Sequence, residues 1–398
     1  MAEVKESQNS ILQEEAFLPE FRIPHPQSLS ISQITLAHFR NYQDMRVRCD
    51  TAPVILLGAN GSGKTNLLEA ISLIVPGRGL RRSALADLQN RASPHPWAVA
   101  IELRTETGTL KIGTGRDTSV SDDAERRLVH IDGRPARGQT ELAEYSAMAW
   151  ITPDMDRLLV ESASARRKFL DRLVYSFDPA HGARVQRYEK AMRERLRLLR
   201  DGIADAVWLA ALEDEMAQTA VAIAAARRHM ISRLKTAIAS SGDVFPRADI
   251  AVRGTAEDML DDLPALPVED ALRAAFARSR GEDAMHGTCA VGAHRSDLRV
   301  VHRLKNCPAD LCSTGEQKAL LIALMLAYVR LLAEQRHMTP LFLLDDIAAH
   351  LDDNRRTSLF EEILDIGAQV WMTGTDHEDF VRLSPHAQIF QVENGMVL

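Results

Sequence analysis

Gly58-Ala59-Asn60-Gly61-Ser62-Gly63-Lys64-Thr65 fits the pattern G-x-x-x-x-G-K-[ST] at every defined position. The apolar run Val54-Ile55-Leu56-Leu57 precedes it and reads as a buried strand. Leu67-Leu68-Glu69-Ala70-Ile71 follows and reads as the start of a helix. Strand, glycine-rich loop and helix form the setting in which this pattern holds phosphate. The glycines let the backbone turn tightly and aim N–H groups at phosphate oxygens, and the helix N-terminus adds its positive dipole end. In this reading Gly58, Ala59, Asn60, Gly61, Ser62 and Gly63 form the cradle. Lys64 reaches the β- and γ-phosphates, and the Thr65 hydroxyl holds Mg²⁺. The fold class that follows is α/β, built on a phosphate-loop domain.

A second group of residues completes a nucleotide site. Pro340-Leu341-Phe342-Leu343-Leu344-Asp345-Asp346 reads as an apolar strand that delivers two carboxylates at its C-terminal end. Asp345 suits the Mg²⁺ shell, and Asp346 can polarise an attacking water. Upstream, Ser313-Thr314-Gly315-Glu316-Gln317-Lys318 opens the apolar helix predicted from Ala319 to Val329. Ser313, Gly315 and Gln317 at a helix N-terminus can form a second phosphate-binding surface. The same residues also fit a plain capping box, with Ser313 as cap and Glu316 three positions on.

Composition sets the bounds. Charged residues at 26% and hydrophobic ones at 45% match an ordinary globular protein, and no apolar run reaches the ~18 residues of a membrane span. Residues 1–27 are polar and acidic, without the apolar centre of a signal peptide, so they are expected to be a disordered tail. Cys49, Cys289, Cys307 and Cys312 are too few for a disulfide framework and show no zinc spacing, which points to reduced thiols and a cytoplasmic protein. The net charge of −7 excludes a uniformly basic surface but not a local one.

Along the chain, Ile31–Leu36 alternates as a first strand. Trp97–Arg104 and Leu110–Thr114 read as a hairpin turning at Gly108, and Leu128–Ile131 ends at the turn Asp132-Gly133. From Ser164 to Ser241 there is one proline, with apolar residues at three- and four-residue steps such as Leu209, Leu212, Met216, Ala220 and Ile223. This predicts long antiparallel helices, broken at Phe177-Asp178-Pro179. Leu263-Pro264-Ala265-Leu266-Pro267 reads as a linker or turn.

Lys64 and Asp345 stand 281 positions apart with the helical segment between them. Head halves at both ends of a chain around a helical insertion resemble the SMC and ABC-type ATPase heads, and among these the RecF family. The resemblance rests on Phe39-Arg40-Asn41-Tyr42, the phosphate loop, Pro153-Asp154 and Arg166-Arg167-Lys168-Phe169-Leu170-Asp171. It continues through Gly292-Ala293-His294-Arg295-Ser296-Asp297-Leu298, the Ser313–Lys318 stretch, and Leu344-Asp345-Asp346 with His350-Leu351-Asp352. It implies a head at residues 28–163 and 283–398, a helical arm at 164–282, and ATP with Mg²⁺ as ligands. It further implies a homodimer closed head-to-head, with ATP held between the phosphate loop of one protomer and Ser313 and Gly315 of its twin. Slow, DNA-stimulated hydrolysis would reopen the clamp. DNA at single-strand gaps or junctions is the implied partner, with RecO and RecR as mediators that load RecA.

The chain departs from its wider relatives in places. Asp346 stands where transporter and SMC heads carry Glu, Pro153-Asp154 where transporters present a lid Gln, and Thr375 at the switch-histidine position. Arg78, Arg81 and Arg82 follow the phosphate-loop helix and are candidates for DNA backbone contact, although a solvated loop explains them as well. A nucleotide-binding scaffold without turnover remains an alternative, as does a transporter energy subunit, against which the missing lid Gln and the helical insertion count.

Overall fold

The computed structural model describes residues 29–117, 126–202, 205–240, 244–336, 338–348 and 351–398. The tail expected at residues 1–27 lies outside the described residues, as does His350.

The central sheet runs in the order Met396–Val397, Gln388–Glu393, Val54–Leu57, Val370–Gly374, Leu341–Leu344, Met148–Ile151. All its pairings are parallel except that of the short edge strand Met396–Val397. Val54–Leu57, Leu341–Leu344 and Met148–Ile151 are buried at every position. That is why they read as unbroken apolar runs: a parallel sheet is covered on both faces and leaves no polar alternation. The register places Leu57 beside Gly374, and Leu344 beside both Met372 and Ile151. The phosphate loop, Asp345-Asp346, Thr373 and Thr152 therefore gather at the C-terminal edge of one sheet, where open α/β sheets bind ligands.

An antiparallel sheet of six strands packs on the same core, in the order Tyr42–Arg48, Ser30–Phe39, Ala98–Thr105, Gly108–Arg116, Arg127–Ile131, Arg134–Pro135. The expected first strand runs longer than its alternating segment, from Ser30 to Phe39. The expected hairpin is tighter, since Thr105 pairs with Gly108 and leaves only Glu106-Thr107 in the turn.

Helices Ala163–Tyr175, Ala180–Arg200, Ala206–Ala239, Thr255–Asp262 and Ala265–His286 form the inserted part. Its distal half has a core of its own around Tyr188, Met216, Leu272 and Phe276. Arg195 is fully buried there, bonded to Glu213 at 2.9 Å and Asp283 at 2.7 Å. The helix break falls at residues 176–179, where Asp178 Oδ1 accepts from Ala180 N–H. The turn expected over Leu263–Pro267 is shorter. Helix Ala265–His286 already includes Pro267, because a first-turn proline sacrifices no intrahelical hydrogen bond.

Sequence reading overlooked a three-stranded antiparallel sheet of Ala248–Arg253, Asp297–His302 and Cys307–Pro308. It roots the helices in the head together with a charged lattice. Arg166 grips Asp297 with two bonds of 2.7 and 2.8 Å, and Arg167 donates to Ser296 O. Arg227 grips Asp171 at 2.8 and 2.9 Å and donates to Ala293 O. The two stretches of the resemblance around Arg166 and Ser296 thus interlock at the root of the arm.

Candidate nucleotide site

The phosphate loop connects the buried strand Val54–Leu57 to helix Lys64–Ser72, and its curvature needs glycine at particular places. Gly63 has φ +120°, and a Cβ there would stand 2.5 Å from Asn41 Nδ2. The neighbour that crowds it is also its brace: Asn41 Nδ2 donates to Ser62 O at 2.9 Å, and Tyr42 OH donates to Gly63 O at 3.0 Å. From the other side Gly395 N–H donates to the same Ser62 O at 3.1 Å. Two segments remote in sequence therefore hold the loop before any ligand enters.

The loop opens on a cavity of about 300 Å³ lined by Lys64, Thr65, Asp345, Asp346, Thr373 and Arg81, among others. Lys64 Nζ donates to Gly58 O at 2.6 Å and Ala59 O at 2.9 Å. Burial lowers the pKa of this ammonium, and the charges of Asp346 and Asp345 oppose that shift. Thr65 Oγ1 donates to Asp345 Oδ1 at 2.9 Å, and Thr373 Oγ1 donates to the same oxygen at 2.8 Å. Burial pushes the Asp345 carboxyl upward, against the bonds from Thr373 and Thr65. A buried carboxylate beside a hydroxyl is a donor set that fits Mg²⁺, which takes few protein oxygens and completes its shell with phosphate and water. Asp346 has φ +51°, a left-handed conformation that Asp tolerates, and its N–H donates to Thr373 Oγ1 at 2.8 Å. Thr373 thus bonds both members of the carboxylate pair.

The structure brings Asn60, Gly61, Gly63, Lys64, Thr65, Asp345 and Asp346 to one cavity, keeps Gly58, Ala59 and Ser62 in the loop outside its lining, and leaves the other expected half elsewhere. Ser313, Gly315 and Gln317 do not line it. Ser313 and Gly315 are exposed, at the start of helix Thr314–Arg336, while Gln317 is buried and its Nε2 donates to Cys312 O at 2.8 Å. Ser313 N–H and Oγ both donate to Glu316 Oε2, at 3.0 and 2.9 Å. Bonds from Lys305 and then from Ser313 hold the Glu316 carboxyl down at about 2. The capping contact leaves Gly315 exposed, because Glu316 ties down Ser313 without covering the glycine.

Pro153 and Asp154, at the lid position, do line the cavity. Asp156, in the same short helix, accepts from Lys318 Nζ at 3.2 Å, so that helix is tied to helix Thr314–Arg336. Of the three arginines considered for DNA, all exposed, Arg81 turns to the nucleotide cavity. Its Nη1 donates to Asn66 Oδ1 at 2.9 Å and lies 3.8 Å from the buried Glu69. Thr375 follows the strand end, and the hydroxyl that reaches the carboxylates belongs to Thr373 instead. Sequence reading missed Thr373 and the bracing roles of Asn41, Tyr42 and Gly395. Only Asn41 and Tyr42 carried a signal, as part of the Phe39–Tyr42 stretch. Among the described residues no helix is long and apolar enough to cross a membrane.

Comparison with known proteins agrees with this architecture. The family model described as RecF/RecN/SMC N terminal domain matches residues 30–397. The DNA replication and repair protein RecF of Mesorhizobium japonicum is 46% identical over 94% of this chain and 98% of its own length. That of Rhizobium rhizogenes is 45% identical over 93% and 98%. Among solved structures, the recombination mediator protein RecF-ATPrS in the RecFOR pathway superposes with a TM-score of 0.81 at 22% identity, over 93% of this chain and 98% of that one. The Smc head domain derived from Pyrococcus furiosus, bound to the C-terminal domain of ScpA, gives 0.51 at 15% identity, over 93% and 95%. The structural likenesses speak for the fold, and the sequence identities for the kinship: the chain belongs to the RecF family, on the SMC-type ATPase head fold.

Proposed function

We propose that this protein is an ATP-gated DNA-binding dimer of recombinational repair and replication. One observation carries the reading. The phosphate loop and the carboxylate pair share one cavity, while Ser313 and Gly315 stand exposed outside it. A signature surface so placed is available to a second protomer's nucleotide. In such a head-to-head dimer, Gly58–Gly63 and Lys64 bind the phosphates of ATP, and Thr65 with Asp345 holds Mg²⁺. When bound, the ion offsets the negative charge of the β- and γ-phosphates. Asp346 orients the attacking water, its backbone fixed through Thr373. Contacts to the γ-phosphate exist only in the closed state, so ATP favours closure and hydrolysis releases it.

The domain division follows the same logic, with a head at residues 28–163 and 283–398 and a helical arm at 164–282. Arg78, Arg81 and Arg82 are offered to the DNA backbone, and Arg81 also faces the nucleotide. The names of the relatives support DNA replication and repair as the setting. RecF in the RecFOR pathway supports RecO and RecR as partners in loading RecA at gaps or junctions. Hydrolysis is expected to be weak and DNA-stimulated, serving to reset the clamp. The test is Lys64→Met: it should abolish ATP-dependent retention on DNA while leaving the fold intact by circular dichroism. Unchanged retention would overturn the mechanism.

A further inference from the structure

The residues just before the signature helix carry two of the four cysteines, at a place the nucleotide cavity does not use. Cys307 lies on the short strand Cys307–Pro308, opposite His302, and Cys312 directly precedes Ser313. Between them Ala309–Leu311 makes one tight turn, closed by Cys312 N–H donating to Ala309 O. The turn brings both sulfurs to one carbonyl. Cys307 Sγ stands 3.5 Å and Cys312 Sγ 3.6 Å from Pro308 O, and Cys312 Sγ is also 4.0 Å from Cys307 O. The sulfurs can be no farther apart than the first two distances laid end to end, and closing a disulfide between them takes side-chain rotation with a local shift of the Cys312 backbone.

Their surroundings are unequal. Cys312 is buried and Cys307 half-buried. Burial, and then a thiol–thiol contact with Cys307, pushes the Cys312 thiol up to about 11, which keeps it protonated. The nearby Lys305 ammonium is bonded to the Glu316 carboxylate. A partly exposed cysteine with a second cysteine in reach is the arrangement of a redox-responsive pair. Among the described residues no group of three His, Cys, Asp or Glu side chains is placed to hold a metal ion, so these two do not form part of one.

We propose that Cys307 and Cys312 are a reversible thiol–disulfide site, oxidised by hydroperoxides and restored by thiols, that governs the signature loop. The Cys307 thiolate attacks one oxygen of hydrogen peroxide, the O–O bond breaks, and water leaves once the departing hydroxide takes a proton. Cys307 is then a sulfenic acid. The Cys312 sulfur attacks the Cys307 sulfur and expels hydroxide, which leaves as water with the Cys312 proton. Two thiols give up two electrons, and one peroxide becomes two waters. Two equivalents of a small thiol reverse the change. The bond draws Cys312 off the position where its carbonyl accepts from Gln317 Nε2, and so shifts the adjoining Ser313.

The experiment uses the full chain. After hydrogen peroxide, free thiols are alkylated under denaturing conditions and the protein is cut with trypsin. The peptide 306–318, released after Lys305 and Lys318, contains both cysteines. It should appear unalkylated and lighter by two hydrogens, and return to the doubly alkylated form when dithiothreitol precedes alkylation. Cys49 and Cys289, both buried, should stay alkylatable. Cys312→Ser should stop at a Cys307 sulfenic acid that dimedone traps. A doubly alkylated wild-type peptide, or Cys307 sulfinic acid beside an intact Cys312, overturns the site. A second measurement rests on the head-to-head reading: sedimentation velocity with Mg²⁺ and a slowly hydrolysed ATP analogue. Oxidation should raise the dimer dissociation constant at least about tenfold, and spare the Cys307→Ser/Cys312→Ser variant. A linked peptide with an unweakened dimer overturns the role at the signature loop. Absence of a dimer in both redox states counts against the head-to-head reading, and the peptide alone then decides the disulfide.

Discussion

Thr373 shows what one hydroxyl contributes. It is buried, donates to Asp345 Oδ1 and accepts from Asp346 N–H, so it sets the positions of two neighbouring carboxylates at once. Thr373→Val keeps the shape of the side chain and removes both bonds. ATP turnover is expected to fall about 10–100-fold, the usual loss when a partner of a metal-holding group is removed. Nucleotide affinity, read by titration with a fluorescent ATP analogue, should change far less; a parallel loss of both would mean that Thr373 serves the pocket rather than the carboxylates. The proposed phosphate cradle, Gly58 to Thr65, was legible because its spacing is fixed by backbone geometry over eight consecutive positions. Thr373 was not, because its role depends on a parallel register set by residues far away in sequence. No local pattern distinguishes it from Thr375.

At the scale of elements, bracing decides the phosphate loop. Gly395 has φ +77°, and a Cβ there would stand 2.3 Å from Asn41 O. Gly395→Ala therefore pushes the C-terminal hairpin off the loop and should destabilise the protein by about 1–3 kcal/mol. Weaker ATP binding should accompany a lower melting temperature; an unchanged melting temperature would show that the hairpin yields without strain.

The arm root yields a pH prediction. Burial pushes the Asp171 carboxyl up, but bonds from His181 and Arg227 outweigh it and hold the group down at about 2. Its pKa is depressed on folding, so its contribution is complete above the ordinary carboxylate value of about 4 and fades as pH falls from there to about 2. Asp171→Asn should cost about 3 kcal/mol near neutral pH, because Arg227 loses its bidentate partner in a buried place. The variant should also lose less stability than the wild type between pH 5 and 2 in thermal melts. A steeper acid loss in the variant would contradict the assignment. Sequence periodicity gave the long helices and their break. The sheet of Ala248–Arg253 escaped it, although that strand alternates, since six residues inside a helix-rich region are a weak signal beside their neighbours.

On the scale of the whole molecule the question is closure between two copies. Ser313→Arg places a long cation on the exposed signature surface and should permit ATP binding while blocking nucleotide-induced dimerisation in sedimentation velocity. Asp346→Asn should do the reverse and hold the dimer closed in ATP. A monomeric Asp346→Asn protein in ATP would count against the role given to that carboxylate. The proposed division into head and arm rests on the order of the motifs, since 281 positions between Lys64 and Asp345 leave room for an insertion. How the halves of the head meet was not, because it depends on strand order in one sheet. Val54–Leu57 sits there between Val370–Gly374 and Gln388–Glu393.

That strand order governs when the protein becomes competent during its own synthesis. The ribosome delivers Val54–Leu57 and the phosphate loop early, yet both neighbouring strands, and the Gly395 N–H that steadies Ser62, come from beyond residue 369. Until then the early strand is an apolar ribbon with two open edges, the kind of segment that chaperones shield in nascent chains. A ribosome-bound chain arrested before residue 370 should be unable to retain nucleotide, and retention should begin only once residues 370–395 have been made.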